Sequence, residues 1–145
     1  MNEGYLAGLI EGEGCFGLYL KKGYYQPRFS MCLRDDDEQI LRDLLDTLNI
    51  KKKLIRVKQR GNHKPQVEII LEHPDDNLKL INFLVYNPFI GKKRPQYEVW
   101  KEAVLFHRRN RNTTRGNPEK RKWMTLRFES YFTELKQLKE YPGGD

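Results

Sequence analysis

Apolar residues recur along this chain with two different periods, and the switches between them mark out its elements. Over residues 4–13, Tyr5, Leu6, Leu9 and Ile10 fall at helical spacing, which predicts a short opening helix. Residues 15–22 then alternate, with Phe16, Leu18 and Leu20 on one side and Gly17, Tyr19 and Lys21 on the other. After a turn at Gly23, Phe29, Met31 and Leu33 alternate with Arg28, Ser30, Cys32 and Arg34. Two such runs joined by a short turn predict a hairpin with one greasy and one polar face. Asp35, Asp36, Asp37 and Glu38 supply a cap and first-turn acids for a helix whose Ile40, Leu41, Leu44, Leu45 and Leu48 form one stripe, with Asn49 as its stop.

A second hairpin is expected from residues 54–60, a turn at Gly61 and Asn62, and residues 65–71. Arg56, Lys58 and Arg60 alternate on one face of its first strand, and Gln66 and Glu68 are read as facing the same polar side. Asp75 and Asp76 open a helix carrying Leu78, Ile81, Leu84 and Val85, which Pro88 closes. Pro95 suits the start of another, with Tyr97, Trp100 and Val104 on one face. Residues 108–122, RRNRNTTRGNPEKRK, are polar, basic and broken by Gly116 and Pro118, so they read as a connection. A last helix over about residues 119–140 offers Trp123, Leu126, Phe132, Leu135 and Leu138 for packing. The order is helix, hairpin, helix, hairpin, helices, an α+β class.

At 145 residues the chain has single-domain length. We expect a core over residues 1–110 and a basic connection with a C-terminal helix over 111–145 as an extension of the same domain. The longest apolar runs fall far short of a bilayer span, and no charged-then-apolar leader opens the sequence, so the expectation is an intracellular protein with no membrane partner. Two cysteines, Cys15 and Cys32, make no disulfide framework, no C-x-x-C pairs with the three histidines, and both are expected to be small buried residues. The formal charge of +7 suits a polyanionic partner. It is unevenly spread: residues 51–68 hold Lys51, Lys52, Lys53, Arg56, Lys58, Arg60 and Lys64 against one acid.

The opening helix ends unfavourably. Glu11 and Glu13 fall in its last turn, where the carbonyls already gather negative charge and a carboxylate is disfavoured by several tenths of a kcal/mol. Something positive should offset them. Residues two apart on a helix point about 200° apart, so the two glutamates cannot aim at one ion together. Gly8 and Gly12 share a helix face, and glycine inside a helix costs up to about 1 kcal/mol against alanine. That face therefore needs a reason for being bare, such as a second helix at backbone distance.

Leu6, Ala7, Gly8, Leu9, Ile10, Glu11, Gly12, Glu13 and Gly14 resemble the LAGLIDADG motif of the homing endonuclease family, with glutamate in place of both aspartates. The element order is similar to that family's αββαββα plan up to about residue 107. The resemblance implies a saddle-shaped antiparallel sheet, with additional C-terminal helices here. It makes the second acid, Glu13, the metal carboxylate, and Glu11 a local partner near the helix end. One motif copy then implies a homodimer, with Leu6, Gly8, Leu9 and Gly12 at its interface and Mg²⁺, or another divalent cation such as Mn²⁺, between paired Glu13 side chains.

The polar side of such a sheet would lie in a major groove of double-stranded DNA, presenting Tyr19, Lys21, Gln26, Arg28, Ser30, Arg34, Arg56, Lys58, Arg60, Gln66 and Glu68. Other basic residues, including Lys51 to Lys53 and those of 108–122, would contact phosphate. Family members often carry a lysine near the cleavage centre, and Lys93 aligns best, with Lys92 the nearby alternative; it would stabilise charge on the phosphate or orient the attacking water, with a phosphate anchor of no chemical role as the competing reading. Where some members hold water with a glutamine at the end of the second strand, this chain offers Leu33, with Arg34 and Ser30 nearby, so that residue is unassigned. The expected activity is site-specific, metal-dependent double-strand cleavage by a homodimer at a long, roughly palindromic site, in an intron-homing role. The alternative is a maturase or DNA-binding regulator that keeps the fold without cutting, for which intron RNA is the further candidate partner.

Overall fold

A computed structural model of the chain describes residues 2–57, 61 and 64–140, and each predicted helix and strand forms there with shifted ends. Lys58 and Arg60 lie outside the described residues. The described helices are α1 (Glu3–Glu13), α2 (Glu38–Thr47), α3 (Pro74–Tyr86), α4 (Lys93–Asn110) and α5 (Pro118–Lys139), and Asp35–Asp37 form a 3-10 turn before α2. The strands are β1 (Gly14–Lys21), β2 (Tyr24–Arg34), β3 (Ile55–Val57) and β4 (Gln66–Leu71), in one sheet of order β1-β2-β4-β3. No described helix is long and apolar enough to cross a membrane. By internal contacts the chain divides into two units, one of Met1–Cys15 with Phe29–Phe89, the other of Phe16–Arg28 with Ile90–Asp145.

In the first unit, α1 is capped by Asn2, whose Oδ1 accepts from the Tyr5 amide at 3.0 Å. Gly14 ends it, and its backbone N–H donates to the Ile10 carbonyl. A Cβ at Gly14 would sit 2.5 Å from that carbonyl oxygen and 2.7 Å from Cε1 of Phe29, so only glycine fits this helix-to-strand step. The second half of β2 pairs antiparallel with β4 in the register Phe29↔Leu71 through Arg34↔Gln66. Phe29, Met31, Leu33, Val67, Ile69 and Leu71 are buried as the alternation requires, and α2 lies against β4. α2 stops at Asn49, which takes a left-handed φ of 56° while the Ile50 amide reaches back to the Leu45 carbonyl.

α3 is capped by His73, whose Nδ1 accepts from the Asp75 amide, so Asp75 and Asp76 sit in its first turn. Its buried side is Asn77, Leu80, Ile81 and Leu84. Leu78 is only half-buried and Val85 is exposed, because both lie about a quarter-turn from the centre of that stripe.

The second unit has a core of Leu18, Val99, Ala103, Phe106, Phe128, Tyr131 and Leu135, with Tyr25, Met124 and Leu138 packed against it. Trp100 is wholly buried, edge-on to Phe16 with ring centroids 4.9 Å apart, and its Nε1 donates to the Arg28 carbonyl at 3.2 Å. Three expectations change here. Leu20, at the end of β1, is 64% exposed rather than core. The connection shrinks to residues 111–117, because α4 runs on to Asn110 and α5 begins at Pro118. In α5 the buried stripe is Phe128, Tyr131 and Leu135, whereas Trp123, Leu126 and Phe132 are exposed. The helix carries aromatic residues on more than one side. Phe106 meets Phe128, Trp123 and Tyr131 edge-on, with ring centroids 5.3, 5.3 and 6.0 Å away, so Trp123 touches α4 while remaining 52% exposed.

Candidate active site and nucleic-acid interface

α1 divides cleanly by side. Leu6, Ala7 and Ile10 are buried, while Tyr5, Gly8 and Gly12 are exposed and Leu9 is half-buried. At 100° per residue Tyr5, Gly8, Leu9 and Gly12 share the outer face. A Cβ at Gly8 or at Gly12 would meet nothing within 4 Å, so neither glycine is required by packing among the described residues. Leu6, expected at the dimer interface, is 0% exposed, and its side chain is therefore not available to a partner. Tyr5, 52% exposed, occupies that face instead. The i, i+3, i+4, i+7 spacing of Tyr5, Gly8, Leu9 and Gly12 was the signal that would have found it.

Glu13 is exposed at the C-terminal end of α1, and no basic residue lies in that last turn. Glu11, two residues earlier, is half-buried. Lys93 opens α4 and is half-buried; the first turn of that helix contains no acid, and Lys92 and Arg94 flank it. Both ends thus carry the sign that the helix macrodipole disfavours, each at a cost of about 0.3–1 kcal/mol. Among the described residues, no group of three His, Cys, Asp or Glu side chains is placed to hold a metal ion.

In the first unit, strand register decides which side chains share the outward face. Ser30 faces Ile70, Cys32 faces Glu68 and Arg34 faces Gln66, while β3 sets Ile55 opposite Glu68 and Val57 opposite Gln66. Directly opposed residues point to the same side of a sheet. Arg56 is opposite Val67, whose other neighbour is Leu33, so Arg56 belongs to the helix-covered face and not with Gln66 and Glu68 as expected. From that edge its guanidinium reaches Glu38 at 2.7 Å, and Arg42 holds the same carboxylate at 2.6 Å. The hydrogen bond from Arg42, followed by that from Arg56, holds the Glu38 carboxyl below its ordinary pKa.

Arg34 is exposed and paired with Asp36 at 3.0 Å; Gln66 is exposed, and Ser30 and Glu68 are half-buried. Cysteine placement also differs from expectation, since Cys15 is exposed and Cys32 is half-buried on the outward face. The Cys32 thiol donates to Gln66 Oε1 at 3.4 Å, and burial, then the facing Glu68, pushes its pKa up. Leu33 is turned inward, leaving that position without a group to order water.

In the second unit, Lys21 is exposed, Tyr19 is 39% exposed, and Gln26 and Arg28 are half-buried. Gln26 and Arg28 alternate with the buried Pro27 along β2. Tyr19 lies across Gly17, where an added Cβ would meet the ring at 2.7 Å, and Arg28 Cζ stacks 4.2 Å from the centroid of that ring. Tyr24, 49% exposed at the start of β2, is covered by Arg121 at 5.4 Å.

The outer face of α1 is thus bare and ends in an exposed carboxylate, and the strands of each unit carry outward polar and basic side chains. The sequence profile of the LAGLIDADG endonuclease family matches residues 6–104, and the chain belongs to that family. Curated protein sequences give no match. Among solved structures it is similar to the LAGLIDADG meganuclease I-AabMI bound to uncleaved DNA, at 24% identity and TM-score 0.67, over 99% of this chain and 45% of that one. It is also similar to the archaeal intron-encoded homing endonuclease I-Vdi141I complexed with DNA, at 24% identity and TM-score 0.68, covering 99% and 88%. A third, I-SmaMI bound to uncleaved DNA with calcium ions, gives 17% identity and TM-score 0.67, covering 99% and 45%. The chain thus spans about half the length of I-AabMI and I-SmaMI, and nearly all of the archaeal enzyme.

Proposed function

We propose that this chain is a site-specific DNA endonuclease of the LAGLIDADG family that acts as a homodimer, requires a divalent metal, and hydrolyses both strands of a long, roughly palindromic site. The observation that carries this reading is the outer face of α1, where a Cβ at Gly8 or Gly12 would meet nothing within 4 Å among the described residues and Glu13 stands exposed at its end. This sequence carries one copy of the motif, and a second copy of the chain would supply the other carboxylate of a two-carboxylate site. The near-full coverage of the archaeal intron-encoded enzyme supports the same arrangement.

The donor set fits a hard divalent cation. Glu13 from each of two copies would hold Mg²⁺, or Mn²⁺ in its place, with water and substrate phosphate oxygens filling the remaining positions. Bound there, the ion would lower the pKa of a water and offset charge developing on the phosphodiester. Glu13 itself supplies the negative charge that attracts the ion and fixes where it sits. Lys93 supplies a positive charge at the start of α4, suited to a phosphate oxygen as negative charge builds on it. Tyr19, Lys21, Gln26, Arg28, Ser30, Arg34, Gln66 and Glu68 have the chemistry of base-edge readout, arginine and lysine for guanine, glutamine for adenine, glutamate for cytosine. Lys51, Lys52, Lys53 and the arginines of 108–122 are placed by charge on phosphates.

The test is selection of cleaved sites from a randomised palindromic duplex library with Mg²⁺, comparing the wild type with Glu13→Gln. Double-strand cuts at an enriched sequence, lost in the variant while DNA binding persists, are expected. Enrichment by binding without cuts from either protein would replace the nuclease with a non-cleaving regulator.

A further inference from the structure

We infer that Arg28 is a pre-organised reader of one guanine in each half of the DNA site, and that Gly17 and Tyr19 exist to hold it in place. The inference rests on the proposed DNA-binding function and goes beyond it by assigning one base contact and the residues that position it.

The argument starts from β1. Glycine in a strand interior weakens it, and Gly17 has φ within the ordinary extended range, so no turn requires it there. What requires it is Tyr19. Residues i and i+2 lie on the same side of a strand, and the Tyr19 ring folds back over the bare Gly17 backbone so closely that a Cβ would be 2.7 Å from Cε2, 3.2 Å from Cζ and 3.1 Å from the hydroxyl. The ring, lying along the strand, becomes a platform.

Arg28 uses that platform. Its Cζ sits 4.2 Å from the ring centroid, within the range of a cation–π contact. Its backbone is fixed from the other side, because the indole of the fully buried Trp100 donates to its carbonyl at 3.2 Å, and its neighbour Pro27 is buried. An arginine free in solvent loses several rotatable bonds when it engages a base. One already stacked loses fewer, and its planar fork keeps the geometry that matches O6 and N7 of guanine. Lysine cannot reproduce that contact, since it has no planar fork to stack or to bond twice. Of the arginines proposed to read DNA, Arg34 is paired with Asp36 at 3.0 Å, whereas Arg28 has its head stacked on an aromatic ring.

The experiment is binding selection from a randomised palindromic duplex library without cleavage, with Ca²⁺ in place of Mg²⁺, for the wild type, Tyr19→Ala, Tyr19→Phe and Arg28→Lys, after far-UV circular dichroism establishes that each is folded. The wild type is expected to demand guanine at one position of each half-site by on the order of ten- to hundredfold over other bases. Tyr19→Ala and Arg28→Lys should relax that same position alone, while Tyr19→Phe, which keeps the ring, retains it. A purely structural role for Tyr19 would instead lower affinity evenly across positions, and that result, or an unchanged profile in Tyr19→Ala, overturns the inference. Should Tyr19→Ala fail to fold, Arg28→Lys carries the test alone, and an unrelaxed profile there has the same force. A wild type that enriches no sequence at all overturns the DNA-binding reading and this inference together.

Discussion

Two glycines of the opening motif should respond to alanine with opposite sign. At Gly14 the new methyl would stand 2.5 Å from the Ile10 carbonyl oxygen and 2.7 Å from the ring of Phe29, which is 0% exposed. The first obstacle is backbone and the second a packed core ring, so neither moves aside cheaply. Overpacking of this kind costs about 1–3 kcal/mol, or roughly 2–4 °C of melting temperature per kcal/mol for a domain of this size. At Gly8 the methyl meets nothing within 4 Å, so the folded monomer gains the helix propensity of alanine, up to about 1 kcal/mol. If the bare face exists to seat a second copy, that same methyl holds the two helices apart and weakens the dimer. The assay is urea unfolding over a range of protein concentrations, with sedimentation velocity alongside. Wild-type midpoints should rise with concentration as mass action requires. Gly8→Ala should show midpoints independent of concentration, higher than wild type at the dilute end, and a monomeric sedimentation coefficient. A Gly8→Ala protein that is less stable when dilute, or that still dimerises as wild type does, would refute the account of why that glycine is there.

Arg56→Ala should leave the base preference of the protein unchanged, because its side chain belongs to the helix-covered side of the sheet and engages Glu38; a binding selection that lost one base position in this variant would return Arg56 to the reading face. Glu38 has a folded-state pKa depressed by Arg42 and Arg56, so its contribution to stability is present above the unfolded carboxylate pKa and is lost as pH falls through the folded one. Urea titrations of wild type and Glu38→Gln should therefore converge at acid pH and separate towards neutrality. Trp100→Ala removes a fully buried indole that also satisfies the Arg28 carbonyl, and should cost about 3–5 kcal/mol in equilibrium unfolding.

Much of the molecule was legible in one dimension. The alternation of Phe29, Met31 and Leu33, the leucine stripe of α2, the stop at Asn49 and the nine-residue motif at Leu6–Gly14 are local, and each acts through neighbours within a few residues in sequence, which a linear pattern records. The acid at Glu13 and the bare Gly8 and Gly12 were conspicuous for a related reason: each contradicts what its own helix prefers, and such a conflict is visible before any fold is known.

What only the tertiary structure decided depended on which distant residues meet. Arg56 changed face because β3 pairs with β4 in a register that sets it opposite Val67, and a shift of one residue moves every side chain to the other side of a sheet. Leu6 is claimed by the chain's own interior, while Tyr5 beside it stays outside. The buried stripe of α5 runs through Phe128, Tyr131 and Leu135 because these join Leu18, Val99, Ala103 and Phe106 in one core, whereas Trp123 meets Phe106 from an exposed position. Gly17 read as one polar-side residue among several until the Tyr19 ring was found lying across it with Arg28 stacked above. Period and propensity select an element and the side that can be buried; register and side-chain contact between elements far apart in sequence select which of the available side chains are left to do chemistry.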